Sequence, residues 1–192
     1  MIKIVVAITG ASGSIYAIRF LQRAAEHFDE VLLTVSEQAL QVMRTETELK
    51  PTRENLSDLL GGPLRLLDER DYFTPPASGS FRHEGMVIVP CSMGTLGRVA
   101  NGISNDLTTR AADVCLKEGR KLIMVVREMP YNLVMLRNMV SAAEAGATIL
   151  PASPAWYNRP ANLDELADTV VARILQNLGV VQKIVPEWAV DE

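Results

Sequence analysis

Five largely apolar runs set the strongest constraint on this chain. They are Ile4-Val5-Val6-Ala7-Ile8, Val31-Leu32-Leu33-Thr34-Val35, Met86-Val87-Ile88-Val89-Pro90, Leu122-Ile123-Met124-Val125-Val126 and Thr148-Ile149-Leu150-Pro151. A strand with one wet face alternates apolar and polar residues, whereas a continuous, β-branched-rich run has both faces covered. The runs are separated by segments with helical period. Ile15, Ile18, Leu21 and Ala25 place an apolar stripe on a helix beginning near residue 15, and Leu40 and Met43 face inward from a helix over 37–44. Further helices are expected over 92–100, 107–117, 133–145 (with Gly146 as its C-cap) and 163–178, stopped by Gly179.

A parallel sheet between two layers of helices covers both faces of every strand. The expected fold class is therefore α/β: a doubly wound, Rossmann-like or flavodoxin-like three-layer sandwich with a mostly parallel sheet. Between residues 50 and 79 the pattern weakens, punctuated by Pro51, Gly61-Gly62-Pro63 and Pro75-Pro76. A helix over 55–60 and a short strand over 64–67 fit there. No repeat, low-complexity run or linker divides the 192 residues, so they read as one α/β domain, 1–192, with a tail from about residue 180.

Composition narrows the function classes. A net charge of −4 with no Lys/Arg run offers no broad basic face, which argues against nucleic acid and requires any phosphate site to concentrate charge locally. Two cysteines, Cys91 and Cys115, make neither a disulfide framework nor a zinc spacing and suit a reducing compartment. The first apolar run is too short to span a bilayer and no signal-peptide cleavage pattern follows, so a cytoplasmic location is expected. His27 and His83 are the only histidines, which leaves few candidates for a Ser-His-Asp triad. No Asp/Glu cluster has the pattern that binds a Mg-diphosphate, and no metal site is expected.

In doubly wound sheets, ligands bind beyond the carboxyl ends of the strands, and most of the informative segments fall there. Thr9-Gly10-Ala11-Ser12-Gly13 links the first strand to the first helix. Its glycines permit close backbone approach, and a helix N-terminus offers N–H groups to a phosphate. Neither the three-glycine dinucleotide fingerprint nor a nucleophile elbow is present, and a tight turn with a capping serine fits the same residues. Ser36 closes the second strand, as a ligand contact or, better on its own, as a helix N-cap. In Pro90-Cys91-Ser92-Met93-Gly94-Thr95 the hydroxyls and free amides suit an anion, while Cys91, with no base nearby in sequence, reads as a small buried hydrophobe. Arg110 and Lys117 share one helix face, as a phosphate grip or as solvated surface. Arg127 and Glu128 emerge together from a strand end. They read as an arginine fork for phosphate beside a proton-donating carboxyl, or as part of a local ion pair with Arg120 or Arg137. Trp156-Tyr157 supplies an aromatic face for an apolar tail or cation, or a cap on the core.

Taken in order, these segments, with Thr45-Glu46-Thr47, Pro75-Pro76-Ala77-Ser78-Gly79-Ser80, Arg110-Ala111-Ala112-Asp113-Val114 and Val171-Ala172-Arg173, resemble the UbiX family of flavin prenyltransferases over nearly the whole chain. The resemblance implies a metal-independent transfer of a dimethylallyl group from dimethylallyl phosphate to N5 and C6 of reduced FMN. The prenylated FMN so formed serves a UbiD-type decarboxylase, in ubiquinone synthesis or aromatic acid breakdown. It implies that Gly10, Ala11, Ser12, Ser36, Ser92, Met93, Gly94, Thr95 and Arg127 hold FMN. Arg110, Lys117, Arg127, Tyr157 and Arg173 would hold the donor, Glu128 would protonate the departing phosphate, and Ser12 and Glu46 would handle protons near flavin N5. It also implies a large homo-oligomer, a dodecamer, with sites at subunit contacts. The flavoprotein cysteine decarboxylases share this fold, but they carry a Pro-Ala-Ser-Ala-Asn-Thr stretch that residues 90–95 do not reproduce, and an early-helix histidine that His27 does not match. An FMN-dependent decarboxylase of a small aromatic or cysteinyl acid and a non-enzymatic flavin carrier are the alternative functions; a carrier gives no reason for the charges at Arg127 and Glu128. Trp188, in the tail, is a candidate lid aromatic.

Overall fold

The computed structural model describes residues 1–186. Six strands form one sheet: β1 Lys3–Ile8, β2 Glu30–Val35, β3 Leu64–Leu66, β4 Met86–Cys91, β5 Leu122–Val126 and β6 Thr148–Pro151. Their order is β3-β2-β1-β4-β5-β6, and every neighbouring pair is parallel. The pattern predicts a mostly parallel sheet; the one observed is wholly parallel. With the short edge strand β3 included the order is that of dinucleotide-binding folds, and without it that of flavodoxins, so the sequence had no means to choose between them. Either way the order reverses between β1 and β4, and that switch point opens a crevice at the carboxyl edge.

Alternate residues of β1 enter opposite cores, as a period of two requires. Ile4, Val6 and Ile8 pack with α1 (Ser14–Ala24), α2 (Glu37–Glu46), α3 (Leu56–Leu60) and α7 (Leu163–Leu178). Val5 and Ala7 pack on the other face with α4 (Met93–Ala100), α5 (Leu107–Lys117) and α6 (Leu133–Glu144). Both faces of β1, β2, β4 and β5 are dry, which is why these strands read as apolar runs, whereas the edge strands β3 and β6 are partly exposed. A 3-10 turn at Pro75–Ala77, which the pattern does not predict, rests against α5.

The buried stripe of α1 is rotated from the predicted one. Ala17, Phe20, Leu21 and Ala24 are buried, while Ile15, Ile18 and Ala25 lie at its margin. Alanines let the helix approach the strands closely, and hydrophobicity alone does not distinguish such a face from an isoleucine flank. Alongside, α1 is tied to α7. Arg19 donates from Nε and Nη2 to the two Asp168 oxygens at 2.8 and 2.6 Å, and Arg23 Nη2 adds a contact at 3.4 Å. Asp168 is only 5% exposed.

Helix α6 is the exception among the long helices. Only Ala142 is buried, and Leu133, Val134, Leu136 and Val140 face outward. Among the described residues no helix is long and apolar enough to cross a membrane.

Candidate functional site at the carboxyl edge of the sheet

Thr9 joins the two loops that flank the switch point. Its amide and its hydroxyl both donate to Pro90 O, at 3.3 and 2.8 Å, and its Oγ1 accepts the Ser92 N–H at 2.9 Å. Proline in a central strand is tolerated because the β4–β5 register is interrupted between Ile88 and Cys91, where the missing N–H is not needed. Thr9 is itself buried. The sequence motif contains Thr9, but only the pairing of β1 with β4 reveals what its side chain does. Thr9→Val removes a buried hydroxyl with two partners, so we expect a loss of about 1–3 kcal/mol in denaturant unfolding. A fall in FMN affinity should accompany it as the loops part, and FMN affinity at the wild-type value would show that they hold without Thr9.

Gly10 lies against α2, where a Cβ would stand 2.6 Å from Gln38 Cβ. Ala11 is nearly buried. Gly13, with φ 107°, opens α1 with no side-chain cap of its own. The cap comes from Glu46, at the far end of α2. Its carboxylate accepts the Gly13 N–H at 3.0 Å and the Ser14 N–H at 2.7 Å. The α1 N-terminus expected to receive a phosphate is thus already occupied by this anion. Burial pushes the Glu46 carboxyl up, but hydrogen bonds from Ser12, Ser14 and Gly13 outweigh it and hold the group below the usual carboxylate range. Ser12 and Glu46, predicted to act together, are in contact.

The anion-ready helix start is instead that of α4. Ser92 caps it, its Oγ accepting the Thr95 N–H at 3.2 Å. The amides of Met93 and Gly94, ahead of Thr95, have no acceptor among the described residues. A Cβ on Gly94 would meet nothing closer than Ser92 Oγ at 4.0 Å, so no packing inside the chain demands glycine there. Thr95 does not face the crevice: it is 2% exposed and its hydroxyl meets Ser92 Oγ and Arg98, so it supports the turn from behind. Ser36 is the N-cap of α2, its Oγ accepting the Ala39 N–H at 3.1 Å. Cys91 is fully buried and its thiol is pushed up to about 12, which leaves it a core hydrophobe and not a nucleophile.

Arg127 and Glu128 follow β5 beside this turn, with the Arg127 amide bonded to Cys91 O at 3.3 Å. Neither side chain is in an ion pair among the described residues; Glu128 accepts only the neighbouring Met129 N–H. Arg120, a suggested partner, donates to the carbonyls of Phe81 and Gly79 instead. Both histidines lie at the opposite, amino edge: His27 just past α1, His83 just before β4 with Nδ1 3.0 Å from Gly85 O. No imidazole reaches the crevice.

The remaining predicted donor contacts do not converge within one chain. Arg110 and Lys117 are on α5 and Arg173 is on α7, across the sheet. Arg110 donates to Ala77 O at 3.1 Å and pairs with Asp113, Lys117 pairs with Glu118, and Arg173 donates to Gln176. Gly79 lies so close to Lys117 that a Cβ there would stand 2.8 Å from its Nζ. The Ser78–Ser80 stretch therefore lies beside both cations of α5, a neighbourhood the sequence reading missed because it depends on how the 3-10 turn packs. Trp156 and Tyr157 are 68% and 76% exposed, so they do not cap the core. Trp188 lies outside the described residues.

The Flavoprotein family model matches residues 1–187. The flavin prenyltransferase UbiX of Pseudomonas aeruginosa is 44% identical over 195 aligned positions, covering 97% of this chain and 93% of that one. The chain belongs to the UbiX family of flavoproteins. Its fold agrees with that of UbiX structures. AnUbiX (PadA1), solved with FMN and dimethylallyl pyrophosphate, matches with a TM-score of 0.91 and 37% identity, over 100% of this chain and 99% of that one. A dodecameric FMN-dependent UbiX-like decarboxylase from Escherichia coli O157:H7 matches with a TM-score of 0.88 and 36% identity, over 97% and 99%. The match to the UbiX proteins takes in every strand-end segment described above.

Proposed function

We infer that the protein is a flavin prenyltransferase that transfers a dimethylallyl group from dimethylallyl phosphate to reduced FMN, forming bonds at N5 and C6. The observation that carries this reading is the Arg127–Glu128 couple, without ion partners among the described residues, beside the open first turn of α4 at the switch point of a UbiX-family chain. The residues present fit FMN: Met93 and Gly94 offer two amides, Gly10 and Gly94 allow close approach, and Arg127 offers a planar fork. Ala11, Ser12, Ser36 and Ser92 line the same edge, and Thr95 acts through Ser92.

An allylic phosphate leaves slowly unless its developing charge is neutralised. Arg127 supplies a cation and Glu128 a proton, so the C–O electron pair leaves with a phosphate that is protonated at once. Reduced FMN contributes the electron-rich ring that forms the new bonds. The proton displaced from N5 would pass by way of Ser12 to Glu46, whose carboxyl is held below its usual range and so is ionised to accept it; the bond at C6 would then form as the allyl double bond takes up a proton and C6 loses one, leaving phosphate as the sole leaving group. Arg110, Lys117, Tyr157 and Arg173 complete the donor site from neighbouring subunits, with the Ser78–Ser80 loop beside them. Their separation across one sheet and the uncovered apolar face of α6 both support a homo-oligomer, and a dodecamer suits them. The chain acts as one flavin-binding domain in the cytoplasm, and its product serves a UbiD-type decarboxylase.

The test is anaerobic incubation of the protein with FMN, a reductant and dimethylallyl phosphate, followed by mass spectrometry of the released flavin. A flavin heavier by one dimethylallyl unit is expected. An unchanged flavin in a protein that has bound FMN, with the diphosphate donor failing as well, would overturn the reading. Carbon dioxide release from a small acid would then favour the decarboxylase.

A further inference from the structure

Tyr16 is a polar group at the site that the proposed reaction does not use. It lies in the first turn of α1, and its ring folds back over the loop after β1: a Cβ on Gly13 would stand 2.8 Å from Tyr16 Cδ2 and 3.0 Å from Cε2. The ring is half-buried and packs at the edge of the core that also borders Ala152, the residue that follows β6. Its hydroxyl has no hydrogen-bond partner among the described residues. Ala152 donates its N–H to Val126 O at 2.9 Å, so the end of β5, with Arg127 next in the chain, meets the same core edge as the Tyr16 ring, and the Arg127 charge acts on the phenol.

We propose that Tyr16 and Arg127 form a two-residue clamp for one phosphate group, the guanidinium supplying charge and the phenol a second hydrogen bond. Glu46 already occupies the α1 N-terminal amides, so an anion over this loop needs donors from side chains, and Tyr16 is placed to be one. Burial raises the phenol above its ordinary range more than the Arg127 charge lowers it, so the hydroxyl stays protonated, and hence a donor, at any physiological pH. The Arg127 guanidinium is open to the ligand because no carboxylate in the described residues pairs with it. The clamp rests on the prenyltransferase reading for the identity of its phosphate, which is that of FMN or that of the allylic donor.

Tyr16→Phe tests it. The substitution keeps the ring over Gly13 and deletes a hydroxyl that bonds to nothing among the described residues, so the melting temperature should hold or rise. Any loss then belongs to the ligand, and a hydrogen bond to a charged acceptor is worth about tenfold or more in affinity. FMN titration by flavin fluorescence and steady-state kinetics in dimethylallyl phosphate separate the two sources. Weaker FMN binding assigns the clamp to the flavin phosphate. A raised KM for dimethylallyl phosphate, with FMN affinity and kcat kept, assigns it to the donor. FMN affinity and KM both within twofold of wild type would overturn the clamp, while prenylated flavin made by the wild-type protein in the same assay leaves the proposed function standing.

Discussion

Glu128→Gln should bind FMN as the wild type does and lose about 10²- to 10⁴-fold in kcat. The glutamine carbonyl can still accept the Met129 N–H, the only bond the carboxylate makes among the described residues, so the local fold has no reason to change. Arg127 is untouched, so the anion clamp remains. On the proposed mechanism what is lost is the proton that Glu128 gives the departing phosphate, and neither histidine, both at the other edge of the sheet, nor Cys91, sealed in the core, replaces it. Single-turnover formation of prenylated flavin under anaerobic conditions reads the chemical step directly. The defect should lie in that step and not in KM, as for a group used only in the transition state. Turnover within tenfold of wild type would remove Glu128 from the mechanism and leave charge neutralisation by the cations to do the work alone.

The second large effect concerns stability. Asp168→Ala leaves the guanidiniums of Arg19 and Arg23 facing a nearly buried position without their shared carboxylate, and Arg23 Nε already has no partner among the described residues. Breaking a buried pair from one side costs about 3–5 kcal/mol, and the partial exposure of both arginines points to the lower end. For a chain of 192 residues, about 3 kcal/mol lowers Tm by roughly 6–12 °C. Calorimetry or denaturant unfolding reads it. Combining Asp168→Leu with Arg19→Met should recover part of the loss, because an apolar pair of similar volume removes the stranded charge. An unchanged Tm in Asp168→Ala would mean that the arginines reach water freely once released. FMN should partly restore Tm in either variant, since a ligand of the native state adds stability by mass action.

Much of the architecture was legible in the chain because it depends on local rules. Burial on both faces leaves continuous apolar strands, and five of the six strands lie within the predicted runs to a residue or so. Helix starts are equally local. Ser36, Ser92, Asn132 and Asn162 each accept an N–H from the first turn that follows, so the boundaries can be read from capping side chains. The strand ends that carry Gly10, Ser92, Arg127 and Glu128 follow from the alternation of strand and helix, and so does their presence on one edge. The predicted α1 stripe missed because amphipathic period marks a face without saying whether alanine or isoleucine turns inward.

What the sequence by itself determined, then, is the α/β alternation, the strand and helix limits, and the set of polar residues delivered to the carboxyl edge. The tertiary structure alone decided the rest, because each of these arrangements depends on strand order and on which side of the sheet a crossover places its helix. Glu46 reaches across from α2 to cap α1 and occupies its first amides, while those of α4 stay open. Thr9 ties β1 to β4. Tyr16 comes under the charge of Arg127, and Arg110 and Lys117 are parted from Arg173 by the sheet. These are contacts between residues distant in sequence, set by packing in three dimensions, and no local periodicity encodes them.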